Sequence, residues 1–311
     1  MRIEGPSPHF GGTRVDRSAS VTAHHPLISV VTPSFNQAAY LETTIRSVLE
    51  QGYPNLEYLV IDGGSTDGSV DIIKKYADRL TYWVSEPDAG QSNAINKGLN
   101  RATGTILTWL NSDDYYTPGA LEIVATAALA HPEAGAYVGA GDIVDASGAV
   151  IHHHVPSSVI SLETMYQWIR GEFFMQPSCF FRDTAWRAVA PIDESIHIAF
   201  DLDLWMRMAK AGQTFVTIDR LLSKSLAHPG AKTTAYTNLS IVDVAVVAIR
   251  HGGERVVRQH LDDMAIRLSW SEPNLEKILN NPVLRWLEPL ISLFVKPAIR
   301  RRDTVPPWLR R

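Results

Sequence analysis

Residues 27–69 read LISVVTPSFNQAAYLETTIRSVLEQGYPNLEYLVIDGGSTDGS. The stretch opens on the β-branched run LISVVT (27–32), which predicts a buried strand. A Pro/Asn turn leads to YLETTIRSVLEQ (40–51), where Leu41, Ile45, Val48 and Leu49 recur at helical spacing. LEYLVID (56–62) predicts a second strand, and Gly63 to Gly68 a loop before a helix over 70–77. Strand, helix and strand at this spacing make a crossover unit, which requires a parallel sheet.

The pattern continues outward. LTYWVS (80–85) predicts a third strand, 93–102 a helix, and TILTWL (105–110) a fourth strand. In such sheets functional loops gather at the carboxyl ends of the strands. Those ends are Pro33 to Asn36, Asp62 to Asp67, Glu86 to Gln91 and Asn111 to Asp114. After residue 118 the texture changes. A helix over 119–130 precedes two antiparallel strands, 136–145 and 150–155. A helix near 161–170, a strand near 178–182, a helix over 201–211 and a strand over 214–219 follow. Helices dominate from 234 to 270. The expected architecture is one α/β domain over 27–233. Residues 1–26 form a loose Gly/Pro/Ser-rich tail, and 234–311 a helical carboxyl-terminal extension.

Composition narrows the function. The chain has 311 residues, 45% hydrophobic and 20% charged, with a net charge of −4. That balance gives no reason to expect a nucleic-acid partner. The single cysteine, Cys179, excludes an intrachain disulfide and suits a reducing, cytoplasmic setting. The amino terminus lacks the apolar segment of a signal peptide, and no apolar run reaches the roughly 18 residues needed to span a membrane. Residues 283–311 combine tryptophans with six basic residues and one acidic residue from Lys296 onward. A segment of this kind suits peripheral contact with the inner face of a membrane, or packing back on the domain.

The fourth strand ends in WLNSDD (109–114). Two adjacent carboxylates after a buried strand repel each other and are costly to bury unpaired. Either Asp114 caps the helix beginning near Pro118 while Asp113 is solvated, or a cation sits there.

Four stretches taken in order resemble the family 2 glycosyltransferases of GT-A fold. They are residues 30–69, DAGQSNAINKGLNRATGTILTWLNSDD (88–114), FDLDLWMRMAKAG (200–212) and AHPGAKT (227–233). The resemblance implies a mainly parallel, Rossmann-like sheet with an antiparallel acceptor-side portion. It also implies an inverting transfer from a nucleotide sugar, UDP before dTDP or GDP, to a glycan or lipid-linked acceptor, with Mg²⁺ or Mn²⁺ on the diphosphate. Carried over residue by residue, Asp114 and His228 are the metal ligands. Asp113 faces the ribose or a metal-bound water. Asp62 receives the nucleobase, with Pro33, Ser34, Asn36, Gly90 and Gln91 around the nucleoside. Asp201 is the base, although Phe200 stands where the family commonly has Glu.

The residues themselves leave alternatives. Asp62 and Asp67 could simply shape a Gly-rich turn, the reading preferred for Asp67. Asn93 is either an N-cap or a ribose contact. Asp203, the alternative base, stands four residues before Arg207 and otherwise predicts a plain surface ion pair. Lys232 could meet phosphate. Strand alternation sets His153 opposite His152 and His154, which argues against a three-histidine metal site. Trp168, Phe173, Phe174 and Gln176 are either core or acceptor contacts, and Cys179 is a small buried residue. Two rival functions remain. A nucleotidyltransferase needs a Gly-rich basic loop after strand one, which PSFNQAAY lacks. A non-catalytic sugar-nucleotide or glycan-binding protein would have no need of Asp201.

Overall fold

A computed structural model describes residues 25–231 and 237–279. The first 24 residues, Lys232 and the basic tail therefore lie outside the described residues. Nine strands form one sheet: β1 (Ile28–Ser34), β2 (Leu56–Asp62), β3 (Tyr82–Ser85), β4 (Ile106–Trp109), β5 (Asp114–Tyr116), β6 (Ala136–Val144), β7 (Val150–His154), β8 (Cys179–Arg182) and β9 (Phe215–Leu226). Their order is β3-β2-β1-β4-β8-β6-β9-β5; β8 pairs with Ala136 to Val138 of β6, and β7 with Gly141 to Val144 farther along that strand. The first four strands are parallel, as the crossover reading requires. β8 runs antiparallel to β4 and β6, β7 antiparallel to β6, and β5 antiparallel to β9.

Both faces of β1, β2 and β4 are buried, so apolar residues dominate their sequences, while β3 at the edge is half-buried. On one face, α1 (Leu41–Leu49) and α4 (Ala120–Ala130) cover Ile28, Val30, Tyr58 and Val60. α2 (Ser69–Lys75) adds Ile73 to this layer. On the other face, α3 (Gln91–Arg101) sets Ala94, Ile95 and Leu99 against Val31, Leu59 and Leu107. This contact is close. A Cβ on Gly98 would lie 2.3 Å from Val31 Cγ1, so only glycine lets the helix approach. Beyond α5 (Leu162–Met165) and α6 (Asp183–Val189), α7 (Phe200–Lys210) packs in the same layer as α3, and α8 (Thr237–Arg250) packs against it. α9 (Glu254–Leu279) follows. Among the described residues no helix is long and apolar enough to cross a membrane.

Three features differ from the sequence reading. Asp114 does not cap the helix after Pro118. It begins β5, and α4 is capped by Gly119 at φ +79°. The helix predicted near 161–170 is the short α5 followed by a 3₁₀ turn over Tyr166–Arg170. The last strand does not stop at residue 219 but runs to Leu226. The exposed pair Asp219 and Arg220 sits in an irregularity where the register passes from Ile218 opposite Gly139 to Leu221 opposite Ala140.

Candidate active site

Register brings the loop residues together. Ser34 stands opposite Asp62, and Asp62 opposite Ser85. The loops beyond β1 and β2 are laced to each other. Asn36, at φ +52°, donates its backbone N–H to Ser65 Oγ (2.8 Å), and its Oδ1 accepts from Thr66 N (2.9 Å). Asp67 accepts from Ala38 N and Ser69 N, the turn-shaping role. Asp62 accepts from Gly64 N, Ser65 N, Ser65 Oγ and Ser85 Oγ. Three of these donors converge on Oδ2 and only Ser65 Oγ reaches Oδ1, so Asp62 organises this turn and keeps one oxygen with acceptor capacity to spare. Pro33 lies in the buried end of β1. Ser34 beside it is 3% exposed, and its Oγ has no hydrogen-bond partner among the described residues. A buried orphan hydroxyl facing a loop cluster is a natural ligand contact.

In the third loop Gly90 adopts φ +116° and forms the N-cap of α3. Asn93 is therefore not the cap. Its Oδ1 accepts from Ala89 N and its Nδ2 donates to Glu194. Gln91 Nε2 donates to Asn111 Oδ1 (2.7 Å), and Asn111 Nδ2 donates to Asp114 Oδ2 (2.9 Å). Asn111 also meets Gln176 Oε1 (3.3 Å), and Gln176 Nε2 donates to the Trp109 carbonyl (2.8 Å). This amide chain spans the mouth of the site. Sequence reasoning missed Asn111, although its place at the head of NSDD was the available signal.

The two carboxylates have separate supports. Asp114 is 6% exposed and hydrogen-bonded by Asn111 and the Ser225 hydroxyl. Burial, and then the neighbouring Asp113, push its carboxyl well above the usual range despite those bonds. Asp113 Oδ2 lies 3.0 Å from His228 Nε2, and the His228 ring rests on Tyr40 at 4.3 Å between centroids. His228 thus holds Asp113 directly. Among the described residues no three His, Cys, Asp or Glu side chains form a metal-holding group. The donor set still fits Mg²⁺ or Mn²⁺, which are commonly held by one or two carboxylates with substrate phosphates and water completing the shell. A desolvated carboxylate beside a second one is the environment a hard cation relieves.

Asp201 lies in the first turn of α7, part-buried, with Leu202 N donating to its Oδ1 (2.8 Å). Loss of water around it raises its carboxyl to about 6. Its charge reaches the buried Cys179, whose thiol is raised by burial first and by Asp201 second. α7 is fixed to the end of β4 by Trp205 stacked on Trp109, 5.5 Å apart and 13° from parallel. Phe200, next to Asp201, also lies against Trp109 at 6.3 Å between ring centroids, so the first turn of α7 packs at the end of β4. Asp203 is not a surface residue. It is 2% exposed and bonds Arg207 Nε (2.7 Å) and His251 Nε2 (2.9 Å). His153 does turn away from its neighbours, onto Asp142 (2.6 Å).

Comparison with known proteins identifies the family and the fold. The family model described as "Glycosyl transferase family 2" matches residues 29–188, just over half of the chain. An uncharacterized glycosyltransferase of Rickettsia typhi is 27% identical over 225 residues, covering 69% of this chain and 68% of its own. The putative teichuronic acid biosynthesis glycosyltransferase TuaG of Bacillus subtilis is 40% identical over 105 residues, 33% of this chain and 42% of its own. Among solved structures, Pyrobaculum calidifontis mannosyltransferase PcManGT in complex with GDP-Man and Mn²⁺ superposes with a TM-score of 0.56 at 18% identity. The match covers 89% of this chain and 87% of that one. S. aureus TarS superposes with a TM-score of 0.54 at 20% identity over 71% of this chain, which spans 39% of the TarS chain. The fold is that of the GT-A glycosyltransferases, and the chain belongs to glycosyl transferase family 2.

Proposed function

We propose that this protein is an inverting, metal-dependent glycosyltransferase that moves a sugar from a nucleotide donor to a hydroxyl of a glycan or lipid-linked acceptor. The observation that carries the reading is the pairing of the buried Asp114, beside Asp113 just beyond β4, with a separate carboxylate, Asp201, on the helix locked to that strand. The nucleoside lies over Pro33, Ser34, Asn36 and the Asp62 turn. Ser65 Oγ is the donor that a nucleobase N–H would replace on Asp62. Gly90 and Gln91 close the ribose side. UDP is the first choice of nucleotide, because TarS is known in complex with UDP and with UDP-GlcNAc. The GDP-Man complex of PcManGT keeps GDP open.

Asp114 and His228, with Asp113 between them facing the ribose or a metal-bound water, would hold Mg²⁺ or Mn²⁺, which would supply positive charge to the departing diphosphate. Asp201 takes the proton from the acceptor hydroxyl. The hydroxyl oxygen bonds to the anomeric carbon from the face opposite the diphosphate, the bond from that carbon to the phosphate oxygen breaks, and the configuration inverts. A carboxyl raised to about 6 is still ionised at neutral pH and is a stronger base than an ordinary aspartate. A binding protein has no use for that adjustment.

Thermal shift against UDP-, dTDP- and GDP-sugars, with Mn²⁺, with Mg²⁺ and with chelator, tests the donor site. One nucleotide class should raise the melting temperature, and chelator should abolish the shift. Asp201→Asn should keep the shift and lose turnover by about 10²–10⁴-fold. Full turnover in Asp201→Asn would overturn the mechanism.

A further inference from the structure

The rungs of the sheet carry the donor site sideways onto β7. Asp114 lies opposite Ser225, Ser225 opposite Ile143, and Ile143 opposite His152. The next rung of the same parity is Tyr116, Ser223, Gly141 and His154. Partners in register project to the same face, so His152 and His154 share the face of Asp114, three strand spacings or about 14 Å away. The gap between is bridged. Met175 occupies the space left by Gly141, where a Cβ would lie 2.7 Å from Met175 Sδ, and Gln176 continues to Asn111 beside Asp114. At the outer end four rings adjoin: His152 to His154 at 5.8 Å, His154 to Phe173 at 4.5 Å, and Phe173 to Trp168 at 6.0 Å. His152 is exposed and the other three are half-buried.

We propose that this ledge of His152, His154 and Phe173 is the acceptor subsite, binding the sugar rings of a glycan chain whose terminal hydroxyl enters the Asp114–Asp201 site. The proposal rests on the transferase reading above and names its acceptor class. Ring faces are electron-rich and attract the polarised C–H groups of a sugar, while imidazole nitrogens exchange hydrogen bonds with its hydroxyls. Burial, and then the neighbouring histidines, hold His154 below its usual range, so it presents an uncharged ring at neutral pH. The ledge is continuous with the donor site through Met175 and Gln176, as an acceptor path must be. Exposed Val150, Val155 and Val159 on and beyond the same strand make a lipid surface the rival occupant.

The test uses the full chain and a panel of short soluble cello-, chito-, malto- and manno-oligosaccharides, read by saturation-transfer NMR. At least one series should bind. Phe173→Ala should weaken that binding about tenfold, the about 1.4 kcal/mol of one good ring contact. His152→Ala should weaken it less, and His153→Ala, facing the other way, not at all. The nucleotide-sugar thermal shift should be equal in all of them. Absence of oligosaccharide binding beside an intact donor shift would overturn the ledge. So would equal effects of Phe173→Ala and His153→Ala, or loss of flotation with anionic phosphatidylglycerol vesicles in Phe173→Ala in place of sugar binding. Loss of the donor shift in the unaltered protein, with ring-dependent sugar binding retained, would sink the donor reading and leave the ledge standing.

Discussion

Replacing Asp203 by alanine should destabilise the protein far more than its spacing to Arg207 suggests. The carboxylate is 2% exposed and bonds Arg207 Nε at 2.7 Å and His251 Nε2 at 2.9 Å, with Arg250 Nη1 at 3.9 Å. Burial alone would raise its carboxyl, but the bonds from His251 and then Arg207 outweigh it and hold it below the usual range. Its contribution is therefore present above the ordinary carboxylate range and fades as pH falls through the lower folded value. Removing one partner of a buried pair costs about 3–5 kcal/mol, because the other charge is stranded. Arg207 is partly exposed and can reach water, which favours the lower end. At about 2–4 °C per kcal/mol for a domain of this size, the melting temperature should fall by roughly 10 °C. Glu50→Ala removes the exposed, solvent-screened Arg46–Glu50 pair and should leave the melting temperature almost unchanged. Calorimetry of both variants at neutral pH decides the matter, and a drop for Asp203→Ala no larger than that for Glu50→Ala would refute the buried clamp. The consequence reaches catalysis, because His251 follows α8 directly and ties the carboxyl-terminal helices to the helix that bears Asp201.

Other outcomes follow from the same geometry. Turnover should fall tenfold per pH unit below about 6, where Asp201 takes up its proton, and a rate profile flat down to pH 4.5 would exclude it as the base. The same raised carboxyl costs stability above about 6 and is relieved as pH falls, so Asp201→Asn should melt higher than the parent at pH 7 and equal to it near pH 4. Asp114→Ala should abolish the metal-dependent part of the donor thermal shift while raising the melting temperature of the free protein, since it removes a buried carboxylate from beside Asp113; a retained chelator-sensitive shift would place the cation elsewhere. Gly98→Ala should cost about 1–3 kcal/mol by chemical denaturation, because its methyl would press on Val31, and a neutral result would show that α3 can lift from β1.

What the sequence disclosed depended on how local the signal was. The β1–α1–β2 unit was legible because a β-branched run, a 3.6-residue period and a second apolar run adjoin within 43 residues. The position of Asp201 on a helix was legible for the same reason. β5 was not, because three residues, Asp-Tyr-Tyr, carry no period and form a strand only by pairing with Ser223 to Ser225. Asp203 read as a surface residue because its second partner, His251, lies 48 positions downstream. The resemblance singled out His228, but its contact with Asp113 spans 115 positions and becomes visible only once β9 is folded. Local patterns gave the chemical residue types, and long-range pairing decided what each touches.

Adjacent carboxylates at Asp113 and Asp114 are tolerated because different segments hold them, and both segments hang on one strand. Ser225 of β9 bonds Asp114, and the turn just beyond β9 delivers His228 to Asp113. The irregularity in β9 is what aims them. Ile218 stands opposite Gly139 whereas Ser223 stands opposite Gly141, so five steps of β9 span two of β6. The surplus is odd, and an odd surplus exchanges the faces of everything downstream. With the same sequence, a surplus of two in place of three would bring Lys224 opposite Ile143 in place of Ser225 and turn a long cationic side chain to the face of Asp114. Leu222 lodges over Gly139, the one side-chain-free position that leaves it room, and so pins the irregularity in place. A surface feature that looks like a polar break in the sequence thus sets the register that brings Ser225 to Asp114 and His228 to Asp113.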